Sequence, residues 1–388
     1  MLPSSKHLGY LSGQHQRELL LKIHFITLLL GFSTAQALAE QVAYIGQCGV
    51  LGIDSQPTFT HLKADTVEVY HYSELVSAIE QGVGNITIPD GVTIGVPNQR
   101  GAITLKPYQS LTSTRGRSNE PGKLVIEPNL TNDSDTYPVI VVSSGVTISG
   151  LVIEGPVKVS DSSKKTIGIQ TKSAAQGVTI ENNELFGWPW AAVSFKSSKN
   201  NVVKNNYIHS NIKSERGYGV VVQNGHATAR IECNVFDRNR HAIAGAGLPG
   251  EGYVARYNLV MQGGGRGAYH QFDMHGDSMG NAGSFVKVYS NWFDFGDYGT
   301  SNRSAIMVRG VPIEGWLEVS NNVFKSPFKV TSRNNAITGV SGALPAIEEI
   351  MRQNQFEQAF VYRKNLSGQC EMQVAHETIP LICSAIGY

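Results

Sequence analysis

From residue 148 to residue 324 the chain repeats one short pattern of apolar and polar positions. Each unit has a β-type apolar residue, one or two polar residues, an asparagine, any residue, then another apolar residue. Ile180-Glu-Asn-Asn183-Glu-Leu185 and Val288-Tyr-Ser-Asn291-Trp-Phe293 are two examples. The asparagines are Asn183, Asn206, Asn234, Asn258, Asn291 and Asn322, at spacings of 23, 28, 24, 33 and 31 residues. A seventh unit, Ile148-Ser-Gly-Leu151-Val-Ile153, lacks the asparagine and opens the series. Alternation over such short runs predicts strands. One unit cannot bury its apolar face, but stacked units can, so the repeat predicts a β-solenoid. The asparagines read as structural: Asn tolerates left-handed backbone at tight turns, and stacked amides can hydrogen-bond along the stack.

Both ends read as caps. Ser73 to Gln81 carries a short amphipathic helix pattern with Leu75, Val76 and Ile79 on one face, followed by strand-like 85–89 and 102–105. Beyond Phe328 the asparagine spacing ends, and residues 343–360 carry a helical pattern through Ile347, Ile350 and Met351. Capping is expected because an open solenoid end exposes strand edges. The expected organisation is a signal segment at 1–39, a lead-in at 40–72, a single parallel β-helix at 73–330 and a C-terminal cap at 331–388.

Composition agrees with an all-β chain: 41 glycines, 41% hydrophobic and only 16% charged residues. The formal net charge of +1 argues against a nucleic-acid binder, which is usually far more basic. Lys6, Arg17 and Lys22, the apolar run Ile23–Phe32 and the small-x-small sequence Ala37-Leu-Ala39 predict an export signal ending before Glu40. No later stretch is apolar enough to span a bilayer, so a secreted or periplasmic product, free of membrane and monomeric, is expected. Export allows disulfides. Of the three pairings open to Cys48, Cys233, Cys370 and Cys383, the expected one joins Cys370 to Cys383, with Cys233 a buried free thiol as the alternative.

The cap helix, Gly91-Val-Thr-Ile94, Leu105-Lys-Pro-Tyr-Gln-Ser-Leu-Thr-Ser-Thr-Arg-Gly116, Gly145-Val-Thr-Ile-Ser-Gly-Leu151 and the Asn-turn repeats occur in one order. That order resembles the right-handed parallel β-helix of the pectate-lyase-like superfamily over roughly residues 70–330. The Trp-Ile-Asp-His block of pectate lyases is absent, as are the Asn-Thr-Asp and Gly-His-Gly blocks of polygalacturonases.

One strand per turn can be aligned: Ala191–Lys196, His241–Ala246, His270–His275 and Ser304–Arg309. Val193, Ile243, Phe272 and Ile306 form one inward column, and Phe195, Gly245, Met274 and Val308 the next. Strict alternation then places Asp273 and His275 on one exposed strip, with Arg309 a turn beyond His275 and His241 a turn before His270. Histidine titrates near neutrality, which suits proton abstraction. His275 or a tyrosine is therefore the candidate base for the proton at C5 of a uronic acid, Arg309 the partner of its carboxylate, and His270 and His241 further catalytic candidates in the same cluster. Asp273-Met-His275 also resembles the Asp-Pro-His block of mannuronan C-5 epimerases, with Met274 in place of Pro; the resemblance implies catalytic roles for Asp273 and His275.

Arg256, Arg266 and Tyr269 are candidate substrate contacts, and Trp188 and Trp190 could stack on sugar rings. His270, Asp273, His275 and Asp277 could ligate a divalent cation, although no cofactor is required by the acid/base reading. A glycoside hydrolase would need a second carboxylate, from Asp294 or Asp297. The expectation is an exported enzyme acting on an acidic polysaccharide as a lyase or epimerase. A non-catalytic, polysaccharide-binding or adhesin-like solenoid is the alternative.

Overall fold

Every coil pairs its strands only with those one coil away, so the sheets run along the stack rather than along the chain. The computed structural model describes residues 48–54, 65–128, 135–157, 165–264, 267–296, 303–328 and 334–387. The fold described here is that of Val50 onward. Three parallel sheets build it. Sheet A has nine strands, from Ile103–Leu105 to Asn334–Gly339. Sheet B has ten, from Thr66–Glu68 to Glu318–Ser320, and sheet C nine, from Thr93–Val96 to Val323–Phe324. Each coil visits A, then B, then C. The strands Thr66–Glu68 and Asn334–Gly339 carry the solenoid beyond both limits expected from the repeat.

The two inward columns are as the alternation requires. Val193, Val220, Ile243, Phe272 and Ile306 are in register, as are Phe195, Val222, Gly245, Met274 and Val308. The strand Tyr218–Gln223 supplies a coil that the sequence alignment passed over. Phe272, Phe293, Phe324 and Phe356 continue the core as neighbouring rings with centroids 4.8–5.2 Å apart.

The repeated asparagines form a buried ladder in the turn from B to C. Each side-chain Nδ2 donates to the Oδ1 of the next: Asn206 to Asn234 at 2.9 Å, then Asn234 to Asn258, Asn258 to Asn291 and Asn291 to Asn322, each at 3.0 Å. Asn354 ends the ladder at the C-terminus of the helix Ile347–Gln353. At the other end the Leu151 N–H donates to Asn183, so the coil without its own asparagine is still joined. The left-handed backbone, however, is not at the ladder residue. It lies one position earlier, at Asn182, Asn205, Cys233, Tyr257, Ser290 and Asn321, with φ of 54–60°. The repeat tolerates any residue there because the following amide, not that side chain, holds the turn.

The N-terminal cap is the helix Tyr72–Gln81, which buries Leu75, Ala78 and Ile79; Val76 is only half-buried. Glu74 accepts from the Tyr70 and His71 N–H groups, and Gly82 ends the helix with a left-handed φ of 78°. At the other end Ile350 is buried while Ile347 and Met351 face solvent, so the C-terminal helix covers less of the core than its pattern implied. A three-stranded antiparallel sheet, Val361–Lys364, Cys370–Val374 and Glu377–Pro380, follows it. Cys370 is bonded to Cys383, and Cys233 is disulfide-bonded rather than a free thiol. Among the described residues no helix is long and apolar enough to cross a membrane.

Asn258→Ala removes the acceptor of Asn234 and the amide's donations to Ile231, Arg256 and Asn291. Buried groups left unpaired cost about 1–3 kcal/mol each, so a loss of about 2–4 kcal/mol is expected in chemical denaturation. An unchanged midpoint would show that the ladder does not hold the turns.

Candidate active site

Strict alternation does not hold along sheet A. Ala192 and Val193 both face the core, as do Ala242 and Ile243, Ala305 and Ile306, and Ala336 and Ile337. The register runs on either side of these small residues and skips them. Two consecutive inward residues bend each strand, so the residue before the bend returns to the outer face. Tyr218, Val221, Ala244 and Ala191 accordingly pack together outside the main core, with Trp190 against them. His241 and His270 therefore share a face with Asp273 instead of pointing away from it. The signal in the sequence is a small residue directly before a β-branched one, repeated coil after coil.

Asp273 is the centre of the site and is fully buried. Arg309 donates to it with Nε at 2.9 Å and Nη2 at 2.8 Å, a bidentate pair. His275 Nε2 lies 3.1 Å from Oδ2, and His241 Nε2 lies 3.7 Å from the same oxygen. Burial pushes the Asp273 carboxyl up. The hydrogen bond from His275 and the charges around it, Arg309 included, outweigh burial and hold it well below the usual carboxylate range. An ionised carboxylate only accepts, so the His275 nitrogen facing it carries the proton. The His275 Nδ1 lone pair is then free on a side chain 42% exposed.

His241 is arranged in the opposite sense. Its Nδ1 donates to the His270 carbonyl, which leaves Nε2 as an unprotonated acceptor towards Asp273. Two acceptors facing one another fit the 3.7 Å gap. Burial pushes His241 down to about 3 and His270 down to about 4, against the pull of Asp273. The rings of Tyr218, His241 and His270 stack in sequence, with centroids 5.7 and 6.0 Å apart.

The other expected residues divide. Tyr269 is exposed and meets His270 edge-on. Trp190 is half-buried against Tyr218. Trp188 is not a sugar platform, because it is fully buried in the core against Gly155 and Gly168. Arg256 is not near Asp273: it lies on sheet B, where its Nε and Nη2 both hold Glu232 at 2.8 Å. Arg266 and Asp297 lie outside the described residues. Asp294 is held by Lys325 and Tyr362 next to sheet C. Asp277 accepts from Met279 N, Asn281 N and Asn281 Nδ2 in a turn, and among the described residues no group of three or more acidic, His or Cys side chains could hold a metal ion. Sequence reasoning passed over Arg240, whose guanidinium lies over the Tyr218 ring at 5.9 Å. Its signal was its place directly before the strand-opening His241.

The geometry defines a right-handed parallel β-helix with a charged cluster on one outer sheet. The family model for a right-handed β-helix region matches residues 113–252. Among solved structures, an alginate lyase from Paenibacillus sp. str. FPU-7 is similar at 15% identity and a TM-score of 0.45, covering 72% of this chain and 99% of that one. The Dettilon tailspike protein is similar at 11% identity and a TM-score of 0.37, covering 86% and 81%. A mutant of DFA-IIIase from Arthrobacter chlorophenolicus A6, in complex with DFA-III, is similar at 12% and 0.36, covering 76% and 86%. No curated protein sequence matches the chain.

The two depressed histidines set an acid limit on folding. Near pH 6.5 an unfolded imidazole takes up a proton that His241 and His270 refuse in the folded state until about pH 3–4. The unfolded state then binds more protons, so stability falls as pH falls through that window, by up to about 1.4 kcal/mol per pH unit for each imidazole. Denaturation midpoints measured from pH 7 to 4.5 should show this slope. His241→Phe, which keeps a ring in the stack but cannot titrate, should flatten it; an equal slope in the variant would show that His241 is not one of the groups responsible.

Proposed function

We propose that the protein is an exported enzyme acting on an acidic polysaccharide, a lyase or an epimerase that abstracts a proton next to a uronate carboxylate. The observation that carries this reading is the Asp273–His275–Arg309 constellation. Asp273 orients His275 and stabilises the imidazolium that forms, much as a buried carboxylate serves a catalytic histidine elsewhere. The His275 Nδ1 takes the C5 proton, and the electron pair passes into the adjacent carboxylate. Arg309 uses its Nε and Nη2 on Asp273, which leaves Nη1 to hold that carboxylate. In elimination the pair returns to expel the C4 oxygen, which leaves with a proton. In epimerisation a proton returns to C5 from the opposite face.

A glycoside hydrolase is less well supported. Asp273 is buried and committed to Arg309, and Asp294 is engaged by Lys325 and Tyr362, so these two do not form the pair of free carboxyl groups that hydrolysis needs. Export agrees with the Cys370–Cys383 disulfide, since such bonds persist in oxidising compartments. In this reading residues 1–39 are the export signal.

The test is incubation of the mature protein with a panel of polyuronates. Absorbance of unsaturated ends reports elimination, and deuterium uptake at C5 from heavy water reports epimerisation. His275→Gln should lower kcat about 10²–10⁴-fold without a change in fold, because the side chain is exposed. Arg309→Ala is a poorer probe: it leaves a buried carboxylate uncompensated and is expected to cost about 3–5 kcal/mol of stability. Full activity in His275→Gln on a demonstrated substrate would sink the assignment.

A further inference from the structure

Along the outer face of sheet A, two guanidinium–ring pairs stand on successive coils before the Asp273 cluster. Arg216 lies over Trp190 at 5.8 Å and Arg240 over Tyr218 at 5.9 Å. Trp190 meets Tyr218 edge-on, and the Tyr218 ring stacks on His241, which lies beside Asp273. The row is therefore continuous with the site, one strand spacing per coil.

Neither guanidinium has an acidic partner among the described residues. Arg216 donates only to the neighbouring Glu215 carbonyl, and the Nε atoms of both arginines are buried without a hydrogen-bond partner. This differs from Arg309 on the same sheet, which is paired with Asp273, and from Arg256 on sheet B, which is paired with Glu232. A buried donor left unpaired costs free energy, so such donors imply a group that completes them.

Arg240 is also held in place by an exception in the fold. From Gly168 onward the bend position of sheet A is Gly168, Ala192, Gly219 and Ala242, and later Ala305 and Ala336; on the coil of Asp273 it is Gln271. Gln271 is buried, and its Nε2 donates to the Arg240 carbonyl at 3.3 Å. Gly267, with a left-handed φ of 84°, leaves room against the guanidinium; a Cβ there would lie 3.2 Å from Arg240 Nε.

We infer that Arg240 and Arg216 form a binding track for carboxylates on successive residues of the polyuronate whose reacting unit sits at His275. The inference rests on the proposed function and adds to it a substrate requirement: charge on several consecutive sugars, read from the N-terminal side of the site. The rings hold the guanidinia in place on neighbouring coils, so acid groups on neighbouring sugars can be met one coil apart.

The test measures binding by calorimetry in the His275→Gln background, with oligouronates of two and of six residues and with a fully methyl-esterified six-residue oligomer. Arg240→Gln and Arg216→Gln should each weaken binding of the charged hexamer about tenfold. Both should lessen its salt dependence and leave the dimer and the esterified hexamer unchanged. Arg240→Lys should recover part of the affinity. Circular dichroism melts check folding, and Arg216, the more peripheral of the two, gives a second variant if Arg240→Gln is unstable. Unchanged affinity for the charged hexamer, or equal loss on charged and esterified oligomers, overturns the track. A track effect without any turnover by the wild-type protein would overturn the proposed reaction instead, and normal turnover with indifferent arginine variants would overturn only the track.

Discussion

A strand of three residues cannot satisfy its own backbone; in this chain each is completed only by the strands one coil above and below. That dependence on exact stacking is what the rest of the structure obeys. The buried asparagine ladder enforces it at the B-to-C turn, where each amide receives from one coil and donates to the next. Because register is fixed there on every coil, side chains separated by 20–40 residues in sequence fall into columns. Asp273 and Arg309, 36 positions apart, meet in a bidentate pair for this reason.

The site shows what the scaffold's rigidity makes possible. A fully buried carboxylate would be strongly destabilising alone, and it is tolerated because the Arg309 fork and His275 occupy its lone pairs. The same burial keeps His241 and His270 neutral. One region thus holds a permanent anion, a permanent cation and two neutral imidazoles, and of the two histidines beside Asp273 it is His275 that is exposed, at 42% against 1% for His241. The division of labour follows from depth on the surface: buried groups orient, and the exposed imidazole is the one a polymer can reach.

Much of this was legible in the sequence. The Asn repeats gave the solenoid, alternation gave the two inward columns, and the column arithmetic brought Asp273, His275 and Arg309 together. The losses have specific causes. Strict alternation sent His270 elsewhere, because it cannot register a bend at which two consecutive residues face inward. Trp188 looked like a platform because aromatic residues in a turn carry no mark of depth. Arg256 lay close in sequence yet on another sheet, since one coil changes face within a few residues. Arg240 was missed because a lone arginine has no pattern; its meaning arises only from its having no ion-paired carboxylate among the described residues.

The coil spacing itself marks where the scaffold serves something besides stacking. The shortest interval between ladder asparagines is 23 residues, and this is enough to complete a coil of three strands. The interval from Asn258 to Asn291 is 33, and it contains the whole of His270–His275. The added residues fall on either side of that strand, in the glycine-rich approach to Tyr269 and in the turn that follows His275. That turn is well ordered by its own bonds: Asp277 takes three donors from Met279 and Asn281, and Asp277 N donates to the Asn281 carbonyl. Asp277, considered as a metal ligand from its type and spacing, thus acts as the anchor of the loop that presents His275. The longer coils begin here, the next interval being 31 residues, and from Gly168 onward this is the coil on which the small-residue column is broken, by Gln271. The onset of the longer coils and the Gln271 break coincide on the coil that carries the buried carboxylate, and this coincidence is what separates a candidate site from a patch of surface charge.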